Sequence, residues 1–313
     1  MHPIVAGAAS GRGVPRANAA TSNHAVAASQ GFACNSVHGR CPCCSDTLPG
    51  MPDLPAEAPA GAPAETSAET LAPTGVPEYD LAYRDVFWRT RDYEDLCDRI
   101  AIRALLPPSG QRLIEVGAGF GRLEGEYRGY REVVLFDSSP TLLEAGRERL
   151  GADPRLQFVL GDAYSLPFPD ASVDAVVCVR VAHHFADAGR AFREFSRVLR
   201  PRGVLVLEFA NKRHVKSVLR YALRRQRWSP FSPEPYEYRP LHFDHSPTEV
   251  RTLLEEAGFV MGPMRAASLF RIGFLKRHVP ARILARVERP LQAPLGRLTP
   301  GPSVYLRARR VPR

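Results

Sequence analysis

The spacing of apolar positions changes several times along the chain, and each change marks an element. Tyr93, Leu96, Cys97, Ile100, Ala101, Ala104 and Leu105 recur at three- and four-residue intervals, the stripe of an amphipathic helix that Pro107-Pro108 stops. Apolar runs of strand length then alternate with amphipathic stretches of helical length. The runs Arg112–Val116, Glu132–Phe136, Leu156–Leu160, Val173–Val179 and Val204–Phe209 predict strands. Helices are expected between them, as at Ser139–Leu150, with Ser139 as N-cap and Pro140 in the first helical position, and at Arg190–Leu199, where Phe192, Phe195, Val198 and Leu199 share a face. This alternation predicts an α/β fold with a parallel sheet and helices on both faces.

After the fifth strand the pattern predicts a basic amphipathic helix, roughly Lys212–Arg227, with the stripe Val215, Val218, Leu219, Ala222 and Leu223. An irregular aromatic segment runs from Trp228 to His245. Ser246-Pro-Thr-Glu249 is a capping box that opens another helix, closed at Gly258. A strand near Met264–Phe270, a helical insertion through about Leu298 and a last strand at Ser303–Arg309 complete the reading. Residues 1–76 are rich in Ala, Pro, Gly, Ser and Thr and offer too little apolar surface to offset ordering entropy, so a disordered leader is expected there. Residues 77–313 are expected to form one domain, with its core at 110–210 and elaborations at 211–245 and 271–300.

Charge is unevenly placed. The chain carries a formal +9, yet residues 211–228 hold seven Lys/Arg and no acid, and residues 263–313 hold twelve Lys/Arg against Glu288 alone. These two stretches sum to +18, which leaves about −9 for the rest. Such a basic face suits an anionic membrane surface, a nucleic acid or an acidic substrate, and equally a solvated arginine-rich exterior. No apolar run of membrane-spanning length and no compact secretory signal is found, so a cytoplasmic protein is expected.

Candidate chemistry gathers around Leu113-Ile-Glu-Val-Gly-Ala-Gly-Phe-Gly-Arg-Leu123, where an apolar strand runs into Gly117, Gly119 and Gly121 and then toward an expected helix. A tight turn whose backbone lies against a ligand needs residues without side chains. Glu115 precedes the first glycine by two residues, Asp137 ends the second strand twenty residues after Gly117, and Gly161-Asp162-Ala163 ends the third. A carboxylate at the tip of the second strand can accept from both hydroxyls of a ribose, so Asp137 points to a nucleoside. Asp162 is placed to accept from an exocyclic amino group.

With these residues the chain resembles the class I S-adenosylmethionine-dependent methyltransferases, in particular the methyltransferase type 11-like group acting on small molecules. The likeness spans about Tyr79 to Phe259 and includes Glu115–Gly121, Phe136-Asp137, Gly161–Phe168 and Arg197–Gly203. It implies a Rossmann-like seven-stranded sheet and S-adenosyl-L-methionine as cofactor. Carried over by position, it implies that Glu115 helps hold the methionyl amino group, that Gly117, Ala118, Gly119 and Gly121 approach the methionine and sugar, that Asp137 and Ser138 serve the ribose, and that Asp162 and Ala163 serve the adenine. Val179 and Arg180 would line the cavity beneath the sulfonium.

In-line methyl transfer requires positioning more than a protein nucleophile. His183 and His184 are candidate general bases, with packing as the alternative reading. Tyr83, Phe87, Trp88 and Tyr93 suit either a lid, with Tyr83 facing the cofactor, or a patch that ties the first helix to the sheet. Tyr236, Tyr238, His242, Asp244 and His245 fall where this fold elaborates its acceptor pocket. Cys34, His38, Cys41 and Cys44 match no common zinc module, so no metal is expected. The expected activity is methyl transfer to a small, lipophilic acceptor; an RNA methyltransferase and a non-catalytic cofactor-binding adaptor at a membrane or partner surface stand as alternatives.

Overall fold

The strongest apolar runs lie at the centre of the sheet. In the computed structural model, which describes residues 83–312, α1 (Asp92–Leu105) leads into β1 (Gly110–Val116), β2 (Tyr130–Asp137), α2 (Pro140–Leu150), β3 (Leu156–Leu160), β4 (Val173–Cys178), α3 (Ala188–Val198) and β5 (Leu199–Ala210). Then follow α4 (Val215–Ala222), a small hairpin of β6 (Tyr236–Arg239) and β7 (His242–Asp244), α5 (Pro247–Glu256) and β8 (Phe259–Ala267). Three short helices, α6 (Gly273–His278), α7 (Ala281–Glu288) and α8 (Gln292–Gly296), precede β9 (Ser303–Arg310). The expected leader, its cysteine cluster and Tyr79 lie outside the described residues.

Seven strands form one sheet in the order β3-β2-β1-β4-β5-β9-β8. The first five are parallel, and β9 runs antiparallel between β5 and β8. Successive side chains along a strand point to opposite faces, and both faces are covered. Ile114, Val176, Leu205 and Leu306 therefore enter one core with Phe192, Phe195 and Leu254 of α3 and α5. Leu113, Ala175, Val206 and Tyr305 enter the other with Cys97 and Ala101 of α1 and Leu284 of α7. Each fully buried apolar side chain of this size contributes about 1.5–3 kcal/mol.

Local signals set several boundaries. Ser139 caps α2 by accepting from the Leu142 amide, and the Ser246–Glu249 capping box opens α5. Gly258, at φ +85, ends the turn after α5. Other boundaries moved. No α-helix follows the glycine loop; the chain makes turns and one 3-10 turn at Glu124–Glu126, because Gly119 and Gly121 sit at positive φ and Gly125 follows closely. The basic helix is shorter than expected: Lys212 is buried with its ammonium on Ser232 and the Glu234 carbonyl, His214 is the N-cap, and Arg224 at φ +55 stops the helical path. β8 begins at Phe259, earlier than Met264, because it pairs along β9 as far as Arg310.

The chain leaves β1 for β2 and β3 on one side and returns to β4 on the other. The carboxyl ends of β1 and β4 thus diverge at a topological switch point, where open α/β sheets hold their ligands.

Candidate functional site

The glycine loop occupies the carboxyl end of β1 at this switch point. Gly117, Gly119 and Gly121 have φ of +73°, +52° and +70°, a region that costs other residues steric strain. The amides of Gly117 and Ala118 donate to the Phe136 carbonyl at 2.8 and 3.1 Å, which ties the loop to β2. A Cβ on Gly117 would stand 2.0 Å from Val181 Cγ2, so this glycine also lets the segment after β4 close against the loop.

Asp137 ends β2 and organises what surrounds it. Its Oδ2 accepts from the Gly119 amide at 2.6 Å and its Oδ1 from the Ser139 amide at 2.8 Å, so one carboxylate holds both the loop and the start of α2. Burial pushes its pKa up while these amides pull it back. Ser138 beside it is exposed. At the end of β3, Gly161 donates to the Asp137 carbonyl, Asp162 accepts from the Tyr164 amide at 2.9 Å, and Ala163 packs against the core.

Glu115 lies under the loop, 3% exposed; its Oε2 is buried without a hydrogen bond, and so is the hydroxyl of the neighbouring Tyr127. Burial raises the Glu115 carboxyl to about 8 against the opposing pull of Arg122. An orphaned buried carboxylate oxygen is costly, and a cationic ligand at the loop would satisfy it.

At the tip of β4, Val179 is buried and Arg180 is held at φ +64. The Arg180 amide donates to Glu208 on β5 at 2.9 Å, while its guanidinium reaches Asp98 of α1 at 2.8 Å. Asp98 is fully buried and also takes Arg122 at 3.0 Å and the Tyr305 hydroxyl at 2.6 Å. Sequence reasoning missed this cluster. Its signal was present in α1, where Glu94 and Asp98 occupy the phase of Ala101 and Leu105 on the buried face. Tyr93 belongs to the core, with its hydroxyl on Glu288, and Trp88 lies under the Arg122 guanidinium at 3.8 Å. Tyr83 begins the first described turn, but its side chain lies outside the described part of the structure.

The histidines sit on the opposite lip, in a 3-10 turn at Ala182–His184. His184 is buried and gives Nδ1–H to the Leu241 carbonyl at 3.2 Å; burial and the adjacent His242 lower its pKa to about 3. It ties the turn to the β6–β7 hairpin, as does His245, whose Nε2–H meets the Ala182 carbonyl at 3.1 Å. The His183 ring lies against that of His184, tilted by 45° with centroids 4.0 Å apart, and among the described residues its ring nitrogens have no hydrogen bond. Burial, His184, His242 and Arg180 hold it far below the ordinary histidine range, so it is a neutral imidazole at neutral pH. Asp244 on β7 is raised to about 6 by burial, against the pull of His245 and Arg271. What the sequence presented as an irregular aromatic segment is therefore a wall built on a hairpin. Despite this clustering, among the described residues no group of three His, Cys, Asp or Glu side chains is arranged to hold a metal ion.

A family described as "Methyltransferase domain" matches residues 114–207, the stretch from the glycine loop to the end of the parallel strands. Over that stretch the chain is similar to the class I S-adenosylmethionine-dependent methyltransferases, whose fold it shares. Their cofactor is S-adenosyl-L-methionine. Two curated relatives are demethylmenaquinone methyltransferases: that of Clavibacter sepedonicus is 36% identical over 34% of this chain and 45% of its own length, and that of Deinococcus radiodurans is 36% identical over 42% and 55%. The chain spans about half the length of these methyltransferases. Among solved structures, a methyltransferase in complex with a Haloferax volcanii methyltransferase activator shares the fold at TM-score 0.53 and 20% identity, over 74% of this chain and 95% of that one.

Proposed function

We propose that this methyltransferase moves a methyl group from S-adenosyl-L-methionine to a small lipophilic acceptor. The observation that carries the reading is the orphaned carboxylate oxygen of Glu115 beneath a loop of three positive-φ glycines, beside Asp137 at the switch point. These residues fit the cofactor. Glu115 would take the methionyl ammonium, the Gly117–Gly121 backbone with Ala118 would flank the methionine and sugar, Asp137 and Ser138 would receive the ribose hydroxyls, and Asp162 with Ala163 would meet the adenine. Val179 and Arg180 would close the floor of the cavity. When bound, the cofactor supplies an activated methyl group on a sulfonium.

The chain's own task is then positioning and proton handling. His183 has ring nitrogens without a hydrogen bond among the described residues, so it would be the group to take the proton released by a hydroxyl or carbon-acid acceptor. His184 would keep the turn that presents it. Curated relatives named for demethylmenaquinone favour a lipophilic acceptor.

The test is methyl transfer from labelled cofactor by the full chain into a cell extract, separated into small-molecule, lipid, RNA and protein fractions. Label should enter the lipid or small-molecule fraction. His183→Asn should lower turnover by about 10²–10⁴-fold with cofactor affinity retained. Label in RNA or protein, or absence of cofactor binding, would overturn the reading.

A further inference from the structure

α4 presents the wrong face to solvent for an ordinary surface helix. At about 100° per residue, Val215, Leu219 and Leu223 form one ridge, with Lys216 and Arg220 along its flank and Ser217 on the opposite side. Ser217 is the buried residue, whereas Val215, Leu219 and Leu223 are each 55–59% exposed. Leaving three branched apolar side chains in water, on a helix whose anchoring face is a serine, forgoes the burial that normally fixes an amphipathic helix.

The ridge continues beyond α4. The Val215 amide donates to the Pro300 carbonyl, and the Asn211 amide group bridges the Thr299 and Gly301 carbonyls at 2.7 and 2.8 Å, which brings the bend carrying exposed Leu298 against the start of the helix. His214, the N-cap, lies within the electrostatic reach of Lys216, Arg220 and Arg271, so positive charge gathers at this end of the helix. On the other flank Tyr221 meets the exposed Phe231 edge-on, beneath the Arg213 guanidinium. No acidic residue lies between 211 and 228.

We propose that this ridge docks the protein on an anionic phospholipid surface, with Val215, Leu219 and Leu223 in the acyl boundary and Arg213, Lys216 and Arg220 on the headgroups. Charge complementarity selects the occupant: an exposed apolar ridge flanked by cations, on a stretch without acids, matches the boundary between acyl chains and negative headgroups. A nucleic acid would meet the cations but leave the apolar ridge in water. Among the described residues no helix is long and apolar enough to cross a membrane. α4 follows the carboxyl end of β5, the same sheet edge as the glycine loop, so docking places the acceptor side at the bilayer. The inference does not depend on the identity of the acceptor.

The experiment is co-sedimentation of the full chain with phosphatidylcholine vesicles, with and without phosphatidylglycerol. The parent should sediment only with the anionic vesicles, and less as salt rises. Leu219→Ser with Leu223→Ser should weaken binding about tenfold or more, and Arg213→Gln, Lys216→Gln and Arg220→Gln together by about a hundredfold, with unchanged melting temperature and cofactor affinity in both. Parental binding by either variant would overturn the proposal. So would salt-sensitive retention on RNA without sedimentation on anionic vesicles.

Discussion

Asp98 of α1 and Arg180 at the tip of β4 lie 82 positions apart in sequence and are joined at 2.8 Å in the interior. Burial alone would raise the Asp98 carboxyl, but Arg180 and Arg122 outweigh it and hold the group below the ordinary aspartate range. The same carboxylate takes Arg122 from beyond the glycine loop and Tyr305 from β9, so one buried charge fixes α1 over both arms of the switch point.

Removing it leaves two largely buried guanidiniums without their shared partner. Asp98→Ala should cost about 3–5 kcal/mol in urea unfolding, and Asp98→Asn should retain some hydrogen bonding and cost less. Because the folded pKa is depressed, the contribution is fully present above the ordinary value of 3.8 and is lost as pH falls through the lower folded value. An Ala variant as stable as the parent at neutral pH would show that the cluster is not a latch.

Glu115 has the opposite sign. Its carboxyl titrates near 8 in the folded chain against 4.5 ordinarily, so its contribution to stability is fully present below 4.5 and is lost as pH rises through 8. A ligand ammonium would favour the ionised form, and binding would expel the proton. Calorimetry near neutral pH in buffers of different ionisation enthalpy should therefore find up to one proton released per S-adenosyl-L-methionine bound. Glu115→Gln should release none, and proton release unchanged in that variant would assign it to another group.

Some of this was legible in the sequence and some was not, for reasons that differ by element. Ser139-Pro140 and Ser246–Glu249 are local signals, since a cap is decided within four residues, and both form as read. Strands such as Val173–Cys178 are legible because burial on both faces leaves a nearly continuous apolar run, broken here by Asp174 alone. The β6–β7 hairpin was hidden: Tyr, Glu, Arg and His in strands of four and three residues show no period, and the hairpin is fixed by bonds from His184 and His245 to residues about sixty positions away. Periodicity gave α4 an apolar stripe but could not say which side faces protein, and the stripe turned outward. In the site, Glu115, Gly117 and Asp137 were readable as a constellation. Asp98 and Arg122 were not, because their partners come from three distant elements.

Asp137 holds protein as well as any ligand. Asp137→Ala should weaken cofactor binding by about 1.5–3 kcal/mol, the range for hydrogen bonds to a charged group, and should also lower the melting temperature by freeing the Gly119 and Ser139 amides. Asp137→Asn keeps an oxygen that can accept from one amide, so its stability loss should be smaller. Calorimetry and thermal denaturation of the two variants separate the roles. Unchanged affinity in folded Asp137→Ala would remove Asp137 from the cofactor site.

Gly117 is subject to two independent constraints, and a double-mutant cycle can divide them. An added Cβ would meet Val181 Cγ2 at 2.0 Å, and at φ +73 any side chain is strained whatever the space. Overpacking of this kind costs about 1–3 kcal/mol, and the left-handed backbone adds roughly 1–2 kcal/mol for a non-glycine residue. Val181→Ala removes the methyl groups that clash but leaves the backbone unchanged. Gly117→Ala with Val181→Ala should therefore be less destabilised than the sum of the single variants, by about 1–3 kcal/mol of coupling. It should still fall short of Val181→Ala alone by the backbone strain. If the two losses simply add in urea unfolding, the contact between the glycine loop and the segment after β4 carries no weight, and the glycine is required for its backbone conformation only.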